Sequence, residues 1–262
     1  MSQRRNTFAD LGLRPLSARS VVASVLMAMH PPELPAAVLV RLCDRFGIAP
    51  GTTRVALSRM VASAELAQED GGAYRLAGAP LLARQRAQDE ARRPPVTAWA
   101  GDWRLAVVVS GGRVAAERAE LRRVLAAARL AEWREGVWLR PANLPPPERG
   151  LAGEPLRWLL ARPDEDPVAL AAVLWDLVGW ARRGRELVAA TDAEPGDLLD
   201  AGPDRPVAVF TAAAALLRHL RTDPLLPAEL LPRGWPGDEL RVRYTAHARS
   251  VQGLIRDLAS AN

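Results

Sequence analysis

Lysine is absent from the 262 residues, so all 35 basic side chains are arginine. Arginine keeps its charge at any working pH, and its planar fork of donors suits phosphate and guanine. Cysteine is nearly absent: Cys43 stands alone, which excludes an intramolecular disulfide and any cysteine-built zinc site. No run of ~20 apolar residues exists, so a membrane-spanning helix is not expected. The start, Met1-Ser-Gln-Arg-Arg-Asn, leads into mixed polar sequence without an apolar core of ~7–15 residues, so no signal peptide is expected. The expected location is the cytoplasm. Histidine is scarce too: His30, His219 and His247 lie far apart, and none has a partner at metal-motif spacing. Phosphate loops, dinucleotide fingerprints and nucleophile elbows are missing. The chain is therefore expected not to be an enzyme, with no catalytic residue, cofactor or metal to assign.

What is present is a globular composition, 49% apolar and 25% charged. At ~100–200 residues per domain the length predicts two or three domains. Residues 1–95 hold 13 arginines against 8 acidic residues, whereas residues 96–262 hold 22 of each. The whole formal excess of +5 thus sits in the first third. Clustered basic charge is an electrostatic footprint for nucleic acid. The eight tryptophans divide the other way, all after residue 95. Both shifts place a boundary near Arg92-Arg93-Pro94-Pro95, where two prolines stiffen the chain as at a linker.

The first segment reads as three helices and a hairpin. Ser17 is a candidate N-cap for a helix carrying Val21, Val22, Val25, Leu26 and Met29, which Pro31-Pro32 ends. A second helix is predicted over 35–46, with Gly47 as its stop and Cys43 as a small core residue at the edge of its apolar stripe. The third helix is predicted over 52–64, burying Thr53, Ala56, Leu57, Met60, Val61 and Ala64. Two strands then flank the turn Asp70-Gly71-Gly72.

This order is that of a winged helix-turn-helix, whose third helix enters the major groove. The opposite face of that helix shows Thr52, Arg54, Val55, Ser58 and Arg59. Arg54 and Arg59 suit guanine O6 and N7, Ser58 either base type, and the Val55 methyls a thymine methyl. Arg41 and Arg45, on the expected solvent face of the second helix, are candidates for phosphate contacts. The acidic tip at Glu69-Asp70 opposes deep insertion of the wing beside phosphates. An ordinary three-helix domain with a solvated face is the alternative.

Phe46-Gly47-Ile48, followed by Thr53-Arg54-Val55-Ala56-Leu57-Ser58-Arg59-Met60-Val61, resembles the helix-turn-helix of the phenylacetic-acid degradation repressors, the PaaX-like regulators. Trp99-Ala-Gly-Asp-Trp103-Arg-Leu and Gly136-Val-Trp138-Leu-Arg140-Pro-Ala-Asn143-Leu are similar to the same family. So is Asp223-Pro-Leu-Leu-Pro227-Ala-Glu-Leu-Leu-Pro232-Arg-Gly-Trp235-Pro-Gly237. One stretch departs from it: 211–217 is Thr-Ala-Ala-Ala-Ala-Leu-Leu, where polar and aromatic residues would be expected. The resemblance implies a homodimeric repressor of phenylacetate catabolism on an inverted-repeat operator in double-stranded DNA. It also implies release by an aryl-acyl-CoA thioester such as phenylacetyl-CoA.

Strands over 104–109, 137–139 and 158–161, with long helices over 114–130 and 168–190, predict an α+β layer. The resemblance makes this layer similar to a small ferredoxin-like nuclease domain. A nuclease needs metal-holding carboxylates where the first strand ends, and Val109-Ser110-Gly111-Gly112 has none. Asp164-Glu165-Asp166 reads as the cap of the following helix. The expected organisation is a winged helix-turn-helix with a linker helix (1–95), a ferredoxin-like dimerisation scaffold (96–200) and a helical effector or dimerisation region (201–262). Two competing readings are an acyl-CoA or other metabolite-binding protein with a vestigial helix-turn-helix, and a metal-dependent nuclease. No pocket residue is named by the sequence.

Overall fold

The computed structural model describes residues 16–109, 114–147, 156–202 and 204–260. It is α+β, with two small antiparallel sheets among its helices. The chain forms two compact units: Met1–Arg92 with Gly184–Thr222 and Gly237–Asn262, and Arg93–Arg183 with Asp223–Pro236. The three-part division expected from the sequence follows chain order, whereas each of these units is discontinuous.

The first unit opens with α1 (Ala18–Ala28), capped by Ser17, whose side chain accepts from Ser20 N in a reciprocal box. Then come β1 (Glu33–Pro35), α2 (Ala36–Arg45), α3 (Pro50–Ala62), β2 (Leu66–Gln68), β3 (Ala73–Leu76) and α4 (Ala79–Arg92). The sheet order is β1-β3-β2, all antiparallel. Strand β1 was not foreseen, because Pro31-Pro32 read as a break and Pro35 as the first turn of the next helix. An edge strand tolerates proline. Between α2 and α3 the chain turns at Gly47, at φ +75°, a conformation that glycine adopts without strain.

Helices α8 (Asp204–Leu220) and α9 (Gly237–Ser260) belong to this same unit. Its core joins Val21, Leu26, Leu39, Leu57, Met60 and Leu76 to Leu198, Phe210, Leu254 and Leu258. Phe46 packs on Phe210 with ring centroids 5.1 Å apart. Cys43 is a core residue there, 1% exposed, and burial raises its thiol pKa.

The second unit holds β4 (Trp103–Val108), α5 (Ala115–Ala127), β5 (Ala131–Arg134), β6 (Val137–Pro141) and β7 (Leu156–Ala161). Its strands run β5-β6-β4-β7 with every neighbour antiparallel. Cores form around Trp103 and Leu139 on one side, and Ala106, Leu125 and Trp138 on the other. The expected long helix over 168–190 is two helices, α6 (Pro167–Leu174) and α7 (Leu177–Ala190). The unit boundary falls within α7, after Arg183. Asp166 caps α6, accepting from Val168 N and Ala169 N. Asp176 accepts from Gly179 N at 2.8 Å and starts α7 anew, which explains the break.

Two motif residues act together here. Leu225 sits at φ +57°, an unfavourable conformation for a branched residue. Asn143 donates to its carbonyl at 2.8 Å, and Asp223 accepts from its amide at 3.0 Å. Both polar residues are 2% exposed. The segment following β4, Ser110 to Gly112, lies outside the described residues, so the expected turn there is not described.

Candidate nucleic-acid interface

Helix α3 divides cleanly. Thr53, Leu57 and Met60 are buried, and Thr53 Oγ1 donates to Ala49 O at 3.5 Å. These positions lie within about 60° of one another at 100° per residue. Thr52, Arg54, Val55, Ser58 and Arg59 are all exposed on the other side, Val55 by 50%. Among the described residues, no carboxylate or carbonyl engages the guanidinium of Arg54 or Arg59. Ser58 Oγ donates to Arg54 O at 3.1 Å, so its hydroxyl proton is held by its own helix. The face thus presents two cations, a hydroxyl and a branched methyl pair on a backbone with short neighbours.

The acids nearest this face are largely compensated. Glu65, directly after α3, pairs with Arg19 of α1 at 2.7 Å. Glu69, at the hairpin tip, accepts from Arg75 Nε at 2.7 Å. Arg75 on β3 is a cation that the sequence reading missed. Its position across the turn from Glu69 was the signal.

Arg41 and Arg45 are placed differently from expectation. They are half-buried, not on a solvent face. Arg41 Nη2 donates to Leu258 O at 2.6 Å, in the last turn of α9. Arg45 Nη2 donates to Leu198 O at 3.2 Å and to Leu199 O at 2.5 Å. A cation on a helix's last carbonyls offsets their partial negative charge. Helical periodicity gave the correct side of α2, but the residues covering it come from 150 or more positions later.

The three histidines do not converge. His30 pairs with Asp89 at 3.1 Å, and His247 is 1% exposed with Nδ1 donating to Arg243 O at 2.9 Å. No group of three or more metal-ligating side chains forms among the described residues. No described helix is long and apolar enough to cross a membrane.

An exposed, cationic helix face stands beside a small antiparallel sheet within a two-unit α+β chain. Residues 17–79 match the family described as PaaX-like protein, and residues 175–259 match the PaaX-like protein C-terminal domain. The chain belongs to the PaaX-like family. Among solved structures it is similar to the uncharacterized protein Rv0674 from Mycobacterium tuberculosis, with 45% identity and a TM-score of 0.76. That match covers 93% of this chain and 99% of the other. No curated protein matches the sequence.

Proposed function

We propose that the protein is a DNA-binding transcriptional repressor of phenylacetate catabolism, cytoplasmic and homodimeric, and not an enzyme. The observation that carries this reading is the outward face of α3, with Arg54 and Arg59 exposed and unengaged by any described carboxylate or carbonyl. Membership of the PaaX-like family supports it.

In this reading the order α1-β1-α2-α3-β2-β3 is a winged helix-turn-helix. Helix α3 enters the major groove, Arg59 and Arg54 pair with guanine, Ser58 reads either base type, and Val55 meets a thymine methyl. Thr52 sits beside them on the first turn. The hairpin β2–β3 is the wing. One such unit reads few base pairs, so a unique genomic address calls for two-fold pairing and an inverted-repeat operator. The sheet β5-β6-β4-β7 is then a ferredoxin-like scaffold for the dimer. An aryl-acyl-CoA thioester such as phenylacetyl-CoA is the effector that fits this family reading.

Selection from a random duplex library, followed by anisotropy titration across salt concentrations, tests the proposal. The expected product is an inverted repeat bound with an affinity that falls log-linearly with salt. Salt-dependent binding with no enriched sequence would refute a repressor.

A further inference from the structure

A cavity of about 660 Å³ lies inside the first unit, walled by α1, α4, α8 and α9. Each wall is a single helix face, since its lining positions recur three or four residues apart. The volume falls within the ~300–1,000 Å³ of small-ligand sites. The sequence placed an effector or dimerisation region at 201–262 and named no pocket residue. The described lining holds no tryptophan and draws on α1 and α4 as well.

Three observations specify an occupant. First, Thr211 on α8 lines the cavity and is 1% exposed, yet its Oγ1 has no hydrogen-bond partner among the described residues. A helical threonine hydroxyl ordinarily bonds a carbonyl three or four residues back, and an unpaired buried one is costly. Second, three arginines reach the exposed side of the cavity, Arg84, Arg218 and Arg221, and no described lining residue is acidic. Burial and the nearby charges of Arg221 and Arg19 lower the Arg84 pKa, and no described carboxylate pairs with it. Third, Ala213 and Ala214 lie between Thr211 and these arginines, in the stretch that departs from the family pattern. Small side chains there leave the volume open.

We propose that this cavity binds an amphipathic anion. A carboxylate or phosphate head rests on Arg84, Arg218 and Arg221. An apolar arm passes Ala213 and Ala214, and an acceptor oxygen takes the Thr211 hydroxyl. From Thr211 to Arg218 the helix rises roughly 10 Å at 1.5 Å per residue, which sets the arm's length scale. The head has two possible sources, the carboxylate of a free acid or the phosphates of a CoA thioester.

The site also has a route to α3. Helix α1 lines the cavity through Ser20 and Ser24, while its Arg19 holds Glu65 just beyond α3. A ligand that moves α1 therefore acts on the DNA-reading face. That regulatory role rests on the repressor reading above; the binding site does not.

Calorimetry on the full chain, with no DNA present, tests the site. The probes are 3-(4-hydroxyphenyl)propionate, octanoate, phenylacetyl-CoA and CoA alone. At least one amphipathic probe is expected to bind with submillimolar Kd, and CoA alone to bind more weakly than its thioester. Binding by the acids identifies a carboxylate head; binding by the thioester alone identifies the phosphates. Thr211→Val and Arg84→Gln should each weaken the bound probe about tenfold, equivalent to ~1.4 kcal/mol. Ala214→Phe should abolish binding by filling the space. Should Ala214→Phe fail to fold, Arg84→Gln at the exposed rim still decides. The proposal is overturned if no probe binds at millimolar concentration, or if all folded variants bind as the parent does. Binding without any effect on operator affinity would instead refute the regulatory role and leave the site standing.

Discussion

Helices α2 and α3 are neighbours in sequence, and each carries two arginines, yet the pairs do opposite things. Arg54 and Arg59 of α3 point away from the unit with no described partner. Arg41 and Arg45 of α2 turn inward and hold the carbonyls of Leu258, Leu198 and Leu199. The same residue type stands exposed on one helix and serves as a tether on the other. What separates them is the later chain that covers α2 and leaves α3 bare. Net charge in a segment therefore overstates the charge available to a partner.

Removing the later chain should have the largest effect. A fragment of residues 1–95 lacks the acceptors of Arg41 and Arg45, along with Phe210, Leu254 and Leu258 of the shared core. Its circular dichroism on heating should show no cooperative transition. A sharp two-state melt would mean the first helices fold without α8 and α9.

Single substitutions should separate the two pairs of arginines. Arg59→Ala should cost roughly 1–3 kcal/mol in operator binding and relax preference at one base pair, with thermal stability unchanged. Intact affinity and preference would move the reading face elsewhere. Arg45→Ala should do the reverse, losing about 1–2 kcal/mol of folding stability while leaving sequence preference intact. Uniformly weakened DNA binding with an unchanged melting temperature would return Arg45 to the phosphate-contacting role expected from the sequence. Tryptophan emission cannot report on these variants' own unit, because all eight tryptophans belong to the other.

The smallest effect concerns pH. Burial lowers the His247 pKa from the usual 6.5, partly opposed by its bond to Arg243 O and by Asp192. The unfolded chain thus takes up a proton that the native state resists, so stability is lost as pH falls below 6.5. His247→Leu should flatten melting temperature against pH between 5 and 7. An unchanged slope would assign the acid sensitivity to other groups.

Local structure was legible where short-range chemistry decides it. Ser17 as a cap, Gly47 as a stop, the buried Thr53, Leu57 and Met60 of α3 and the Gly71-Gly72 hairpin follow from spacing and side-chain type, whereas Ala64, expected on that buried face, is exposed beyond the helix end. The α6–α7 break was hidden because the apolar run continues through Trp175, and only the Asp176 carboxylate reaching Gly179 N reveals it. The tethering of Arg41 and Arg45, and the cavity, depend on helices from distant segments meeting. No local pattern encodes that. Thr211 and the alanines after it were noticed as a departure, but their consequence was space rather than chemistry, and space has no sequence signature.

The discontinuity of the first unit has a consequence for how the chain is made. Even α4, the last of its early helices, ends about 160 residues before Val251, Leu254 and Ile255 complete the core. At about 5–20 residues per second, that interval is roughly 8–30 s. Throughout it, apolar side chains such as Leu26 and Leu39 lack part of their final cover, while the second unit's sheet strands are already synthesised. Such a nascent chain has an incomplete core until α9 arrives, and slow codons ahead of α9 would lengthen the exposure.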